Sequence, residues 1–451
     1  MQLSIFIQVL VFLLGAMMFV VPLRHKLSIF FFTSLCLSAV KISFVPFGSA
    51  PYFVSYCFFF SEIPLFSERL KELMNSIIYR LLIMMMVATI ILAIFSPHYH
   101  NAFDFARLLI FELFGKYFII AYSFICLRKE KDILPSVKIL KIGLILLTLF
   151  GIHNLITKQS FWFHLFYPEG TKDIGIMGFE LEERFRVQSM FLLPFDYGYI
   201  CALASMICNY LYSKNLIRKI HFIIYTGMCL FGIYFCGCRT VILVWVVASF
   251  VYYWPILSVK KKKISFLSFI LFIFFILPSI LTSDFGSLIL SAFSTDIGEG
   301  NGSSIGMRIV QLGAVFSYMP GHWLFGNGMD FFSIDLGWGD DGVNTLVDKD
   351  LWGVEGVYLK LLLERGIFGL VVWGLFYFTI FFNFIKIRKT FKYESMLGIA
   401  VLTCYFLFAM ATGELGSVFP TLLTLGCLLK LVKIESQSLY GRIKSNNFTK
   451  C

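Results

Sequence analysis

Apolar runs of roughly 18 or more residues recur along nearly the whole chain, each long enough to cross hydrocarbon as a helix. They predict about thirteen spans: 3–22, 27–44, 50–66, 77–96, 105–127, 139–157, 190–212, 218–236, 239–257, 264–282, 355–385, 395–412 and 417–433. Twelve is the alternative, because the second and third runs are short and interrupted by Lys41, Pro51 and Glu62. Two long polar stretches break the pattern, at 158–189 and 283–354. Within the second, Ile305, Ile309, Leu312, Phe316 and Met319 recur at helical spacing. Ser303 or Ser304 can cap that helix and Pro320-Gly321 ends it, so 304–319 reads as a helix lying at the membrane surface.

The predicted fold class is therefore all-α: a polytopic membrane protein, one integral membrane domain over 1–451, with a large external loop that contains a short surface helix. Composition agrees, with 59% hydrophobic and only 14% charged residues. Mean hydropathy is +0.83. No small-residue cleavage site follows the first span, which reads as a retained helix. The net charge of +11 would suggest nucleic acid in a soluble protein. Here the basic residues cluster in short loops: Arg24 to Lys26, Arg69 and Lys71, Arg128 to Lys131, Lys214 to Lys219, Lys260 to Lys263 and Lys386 to Lys389. That is the positive-inside pattern, so no nucleic-acid partner is expected and these loops are assigned to the cytoplasm. The stretch 283–354 then lies outside, with nine Asp or Glu against Arg308 and Lys349. The eleven Cys avoid both long loops, which argues against a disulfide framework.

Three Arg are expected at outer span ends: Arg186, Arg239 and Arg308. A guanidinium pairs bidentately with phosphate oxygens, although an Arg there can also snorkel to headgroups. Arg308 falls in the first turns of the surface helix, where backbone N–H groups favour an anion. Glu355 begins the apolar run after the loop, a partly desolvated place suited to proton transfer and equally to a helix-dipole acid. Asp330 in the loop and Asp196 beside Pro194 and Gly198 are further candidate acids. In the fifth span Glu112 and Lys116 stand at i, i+4 and are expected to form a structural ion pair. No His or Cys pattern has firm metal-ligand spacing, so neither metal nor cofactor is expected.

Several short patterns, in order and on one side, resemble the O-antigen polymerase and O-antigen ligase superfamily of bacterial inner-membrane glycosyltransferases. They are Arg186 followed by Pro194, Asp196 and Gly198; Gly237-Cys238-Arg239-Thr240; Arg308 with Pro320 and Gly326-Asn327-Gly328; and Glu355-Gly356-Val357-Tyr358-Leu359 through Glu364-Arg365-Gly366-Ile367-Phe368-Gly369. The resemblance covers about 180–370. It implies an inner-membrane enzyme with a periplasmic site that transfers a glycan from undecaprenyl diphosphate to a sugar hydroxyl of the next lipid-linked repeat unit, without a metal. It implies diphosphate contacts from Arg186, Arg308 and Arg239, proton transfer by Glu355, Asp330 or Asp196, and glycan contacts from Trp323, Tyr358 and His322. A chain-length regulator is an expected partner, beside the lipid bilayer and the undecaprenyl-linked substrates. Ligases of the superfamily carry His where this chain has Glu355, which favours a polymerase. A ligase, and a non-enzymatic flippase or transporter of lipid-linked oligosaccharide, remain the alternatives.

Overall fold

The structure, a computed structural model, describes residues 5–37, 40, 49–62, 73–99, 101–162, 185–191, 193–264, 305–336, 349–351, 356–410 and 417–448. Among them there are helices and no sheet. In chain order these are α1 (Ile5–Val20), α2 (Leu23–Cys36), α3 (Ala50–Glu62), α4 (Ile77–Ile94), α5 (Ala102–Leu109), a π-helical segment (Ile110–Tyr117), α6 (Ile119–Cys126), α7 (Leu134–Thr157), α8 (Pro194–Ser213), α9 (Lys219–Phe235), α10 (Arg239–Ile256), α11 (Ile305–Ser317), the single turn α12 (Phe331–Ile334), α13 (Val357–Ile387), α14 (Lys392–Ala409) and α15 (Val418–Phe448). Five stretches are long and apolar enough to cross a membrane: Ile77–Ile94, Glu130–Thr157, Arg239–Ile256, Val357–Ile387 and Lys392–Ala409. The chain is an all-α, multi-pass membrane protein. Every expected span falls on a described helix except 264–282, which lies outside the described residues.

The helices form because lipid leaves backbone groups no partner but each other. Local signals set the ends. The Ser76 hydroxyl accepts from Tyr79 N at the start of α4, and Pro135 and Pro194 open α7 and α8, where a missing N–H costs nothing. Burial then sorts the helices. α14 is 72% buried and α10 only 22%. The core is built from α8, α14, α6, α15 and α2, while α1, α4, α7, α9 and α10 turn large side chains such as Phe12, Ile94, Leu149, Ile223 and Leu243 outward to lipid. Small residues let the core helices touch: a Cβ on Gly426 would lie 2.4 Å from Ile120 O, and one on Gly232 would lie 2.3 Å from Cys201 Sγ.

The described part of the long loop sits on the start of α13. Val315, Phe332, Leu336, Leu351 and Leu363 make a small core of their own there. The surface helix is observed at Ile305–Ser317, within the expected 304–319, but its expected stripe divides. Ile309 (62% exposed), Leu312 and Phe316 face out, whereas Met319 is buried beside Val315 and Gln311. The packed face is thus Gln311, Val315 and Met319, and Ile309, Leu312 and Phe316 are left exposed.

Candidate functional site

The most irregular point of the structure lies inside α13. Gly366 has φ 61 and ψ −165, so the helix is broken there. An unbroken helix would bond Ile367 N to Leu363 O and Phe368 N to Glu364 O. Instead Ile367 N donates to Trp323 O (2.9 Å) and Phe368 N to Leu324 O (3.0 Å). The freed carbonyls accept from the same loop segment: Leu363 O from Asn327 N (2.9 Å) and Glu364 O from Gly328 N (3.1 Å). Asn327 Nδ2 adds a second bond to Leu363 O at 3.1 Å. Two rungs of the helix are exchanged for four backbone bonds to residues 323–328, so the four groups of those rungs all keep partners. The contact is backbone against backbone. A Cβ on Gly326 would lie 2.4 Å from the Glu364 carbonyl carbon, and one on Gly366 would lie 2.5 Å from Gly326 N. Both positions have positive φ, which glycine alone adopts freely.

Charged side chains gather around this clasp. Arg365 Nη2 donates to Glu112 Oε1 (2.7 Å) and Nη1 to Glu112 Oε2 (3.3 Å), a bidentate pair across 253 residues of sequence. Arg365 is 9% exposed and Glu112 6%. Glu112 stands in the π-helical segment, where Phe118 N reaches back to Leu113 O (2.7 Å). The expected Glu112–Lys116 pair is thus replaced as the bidentate contact by Glu112–Arg365. Lys116 is buried one turn on, 5.4 Å from the Tyr117 ring centroid. On the loop side, Glu364 Oε1 accepts from Phe332 N (3.4 Å) and lies 3.9 Å from Lys360 Nζ.

The end of α4 holds the loop in place. Ser96 Oγ accepts from Met329 N (3.1 Å), and Phe95 stacks on Phe325 at 4.1 Å between centroids. His98 Nε2 is 2.7 Å from Asp335 Oδ2. Asp330 has φ 63, an uncommon backbone for a non-glycine residue, and its carboxylate accepts from the Tyr99 hydroxyl.

A second polar corner lies at the joined ends of α8, α9 and α10. Val187 N donates to Phe235 O (2.9 Å), Gln188 N to Asn154 Oδ1 (3.0 Å) and Ser189 Oγ to Leu147 O (2.7 Å). These bonds carry Arg186 to the Gly237 turn, where a Cβ would lie 3.0 Å from Arg186 Cγ. Arg239 opens α10 two residues further on. Asp196 is buried in the first turn of α8, and Gly198 of that turn packs against Cys236. So Arg186, Arg239 and Asp196 all lie on the segments that form this corner. α14 packs against both α10 and α13 and connects this corner to the clasp.

The other expected residues are placed as follows. Arg308 lies on α11, and its Nη1 donates to buried Gln311 (2.9 Å). His322 and Trp323 are exposed, with Trp323 5.7 Å from Phe316. Tyr358 is half-buried, donating to Phe406 O (2.9 Å) with its ring edge-to-face with Trp373. Glu355 lies outside the described residues. Among the described residues no three His, Cys, Asp or Glu gather as a metal site. Reading by sequence gave no role to Lys360, Glu364 and Arg365, the last two entering only as part of a motif. Their signal was present: three charges in six positions of an apolar run. No protein-family model matches the chain, and no curated protein is similar to it.

Proposed function

We propose that the chain is a membrane glycosyltransferase that polymerises lipid-linked oligosaccharide repeat units at the outer face of the bacterial inner membrane. The growing glycan leaves undecaprenyl diphosphate and joins a sugar hydroxyl of the next repeat unit. The observation that carries this reading is the clasp at Gly366, where a polar loop threads into a broken helix beside five charged side chains, Glu112, Lys116, Lys360, Glu364 and Arg365. A buried charge costs roughly 2.5–3.5 kcal/mol on the lenient insertion scale, so such groups in a membrane mark a site. The Gly326-Asn327-Gly328 and Glu364-Arg365-Gly366 patterns that resemble the polymerase and ligase superfamily are the two halves of that clasp.

The chemistry asks for fixed cations where the diphosphate leaves and a carboxylate where the hydroxyl loses its proton. Arg186 and Arg239 at one corner, and Arg308 on the surface helix, supply the cations. The carboxylates at the base of the loop supply the base. Exposed apolar faces on α11 and α13 leave room for lipid tails beside the loop.

Surface glycans from a strain lacking the gene test the reading on a gel. A lipid A–core bearing one repeat unit without a ladder is the expected result. Polymer retained on its carrier lipid would make the protein a ligase. Arg186→Ala and Arg308→Ala should abolish polymer at normal protein level; full-length polymer from either would make that Arg a headgroup anchor. One observation favours transport: a discontinuous helix with buried charge is also how transporters build a binding site. Lipid-linked repeats accumulating in the inner leaflet of the deletion strain would select that reading.

A further inference from the structure

The carboxylates around the clasp are not held alike. Glu112 has both oxygens on the Arg365 guanidinium. Asp330 accepts the Tyr99 hydroxyl, and Asp335 lies against His98. Glu364 is only 4% exposed, yet its contacts are two long ones to a single oxygen: Phe332 N at 3.4 Å and Lys360 Nζ at 3.9 Å, both to Oε1. Among the described residues Oε2 has no hydrogen-bond partner. That oxygen is not among the fully enclosed atoms left without a partner, so it is open to a further group.

The backbone of Glu364 is also anchored at the break. Its carbonyl accepts Gly328 N, and Gly326 lies directly against it. The side chain is thus fixed relative to the loop while one oxygen stays uncommitted. A packing role would not need that combination. A proton acceptor would, because it must be positioned and still have a lone pair to offer.

The geometry points to Glu364 as the proton acceptor of the transfer, an assignment that rests on the glycosyltransferase reading. In the step, the acceptor hydroxyl oxygen forms the new bond to the anomeric carbon. The bond from that carbon to the diphosphate oxygen breaks, and its electron pair leaves with the lipid diphosphate. The hydroxyl proton passes to Glu364 Oε2. The charged groups facing Glu364 are Lys360 and Arg365 from its own helix, Asp330 from the loop and Lys116 from the π-helical segment. Lys360 is the cation nearest to Oε1, at 3.9 Å. The Arg365 guanidinium is itself paired with Glu112.

The test is polymer formation by the purified full chain in proteoliposomes supplied with lipid-linked repeat unit, followed over an acid-to-neutral pH series. Glu364→Gln keeps the shape and the acceptor for Phe332 N. It should slow polymerisation by about 10²-fold or more, and its residual rate should lose the acid-side fall shown by the wild type. Glu364→Asp should be slowed yet keep that fall. A Glu364→Gln protein that polymerises at the wild-type rate, or whose residual rate keeps the wild-type pH dependence, overturns the assignment. Should Glu364→Gln fail to accumulate, a wild-type rate from Glu364→Asp overturns it instead. Wild-type protein that makes no polymer sinks the glycosyltransferase reading and this step with it; polymer from the wild type and from Glu364→Gln alike sinks only the role of Glu364.

Discussion

Arg365 and Glu112 show what a single pair of residues does in this membrane interior. Each is a buried charge, and each is the other's only bidentate partner among the described residues. Removing one leaves the other charged and buried, which costs about 3–5 kcal/mol in comparable pairs. Arg365→Met should therefore destabilise the protein by that order in a thermal melt in detergent. Arg365→Met combined with Glu112→Leu should recover most of the loss, because apolar replacements of both partners are well tolerated. A double variant no more stable than Arg365→Met alone would mean that the guanidinium serves other buried groups. Reading by sequence placed Glu112 in an ion pair with Lys116 and did not reach its bidentate partner, Arg365. Lys116 was four residues away and Arg365 is 253 away, and helical spacing speaks only to the near one. The π-helical turn also shifts Glu112 from the face that regular helical spacing assigns to it.

At the scale of elements, the clasp and the surface helix make one unit. Segment 323–328 follows α11 and ends as two lost rungs of α13. Alanine at Gly366 must take φ 61 with ψ −165, a region nearly reserved for glycine, and would meet Gly326 N. The strain alone costs about 1–3 kcal/mol. Gly366→Ala and Gly326→Ala should both lower the melting temperature and release the loop to added protease, while Gly227→Ala, whose Cβ meets nothing within 4 Å, should do neither. The glycines and the charges of this unit were legible as motifs, but their joining was not. Hydropathy reports which segment enters lipid and is blind to which backbone bonds are exchanged once it is there. The surface helix was legible because its periodicity is a property of one element. Its outward face, Ile309, Leu312 and Phe316, continues through Trp323 and Leu324 (58% exposed) to Ile367, Val371 and Leu375 on α13. Ile367 N on Trp323 O ties the two together. Brominated lipids in proteoliposomes should therefore quench wild-type tryptophan emission more than that of Trp323→Phe. Equal quenching would place this face in water.

Across the whole molecule, the spans were legible because lipid imposes one solution on every apolar run, whereas their packing depends on a few polar ties that no run announces. At the end of the bundle away from the long loop, Lys214 is such a tie. It follows α8 and lies 2.5 Å from Glu394 of α14 and 3.0 Å from Glu435 of α15, while Tyr210 of α8 also donates to Glu394. One ammonium thus fastens three helices, and Glu394 is almost fully buried beneath it. Burial works to lower the Lys214 pKa, but its hydrogen bonds to Glu394 and Glu435 outweigh that and hold it above the usual lysine value of 10.5. A folded-state pKa raised above the unfolded one gives stability that is complete below the unfolded value and is lost as pH rises through the folded one. The wild type should then lose melting temperature as pH climbs past that lysine value, with little change between neutral pH and there. Lys214→Met strands Glu394 without its cation, so it should melt lower at neutral pH and lack this lysine's part of the alkaline loss. If the two proteins melt together across the series, the three helices are held by their apolar faces alone, and the ion pairs at this end are a consequence of the packing and not one of its causes.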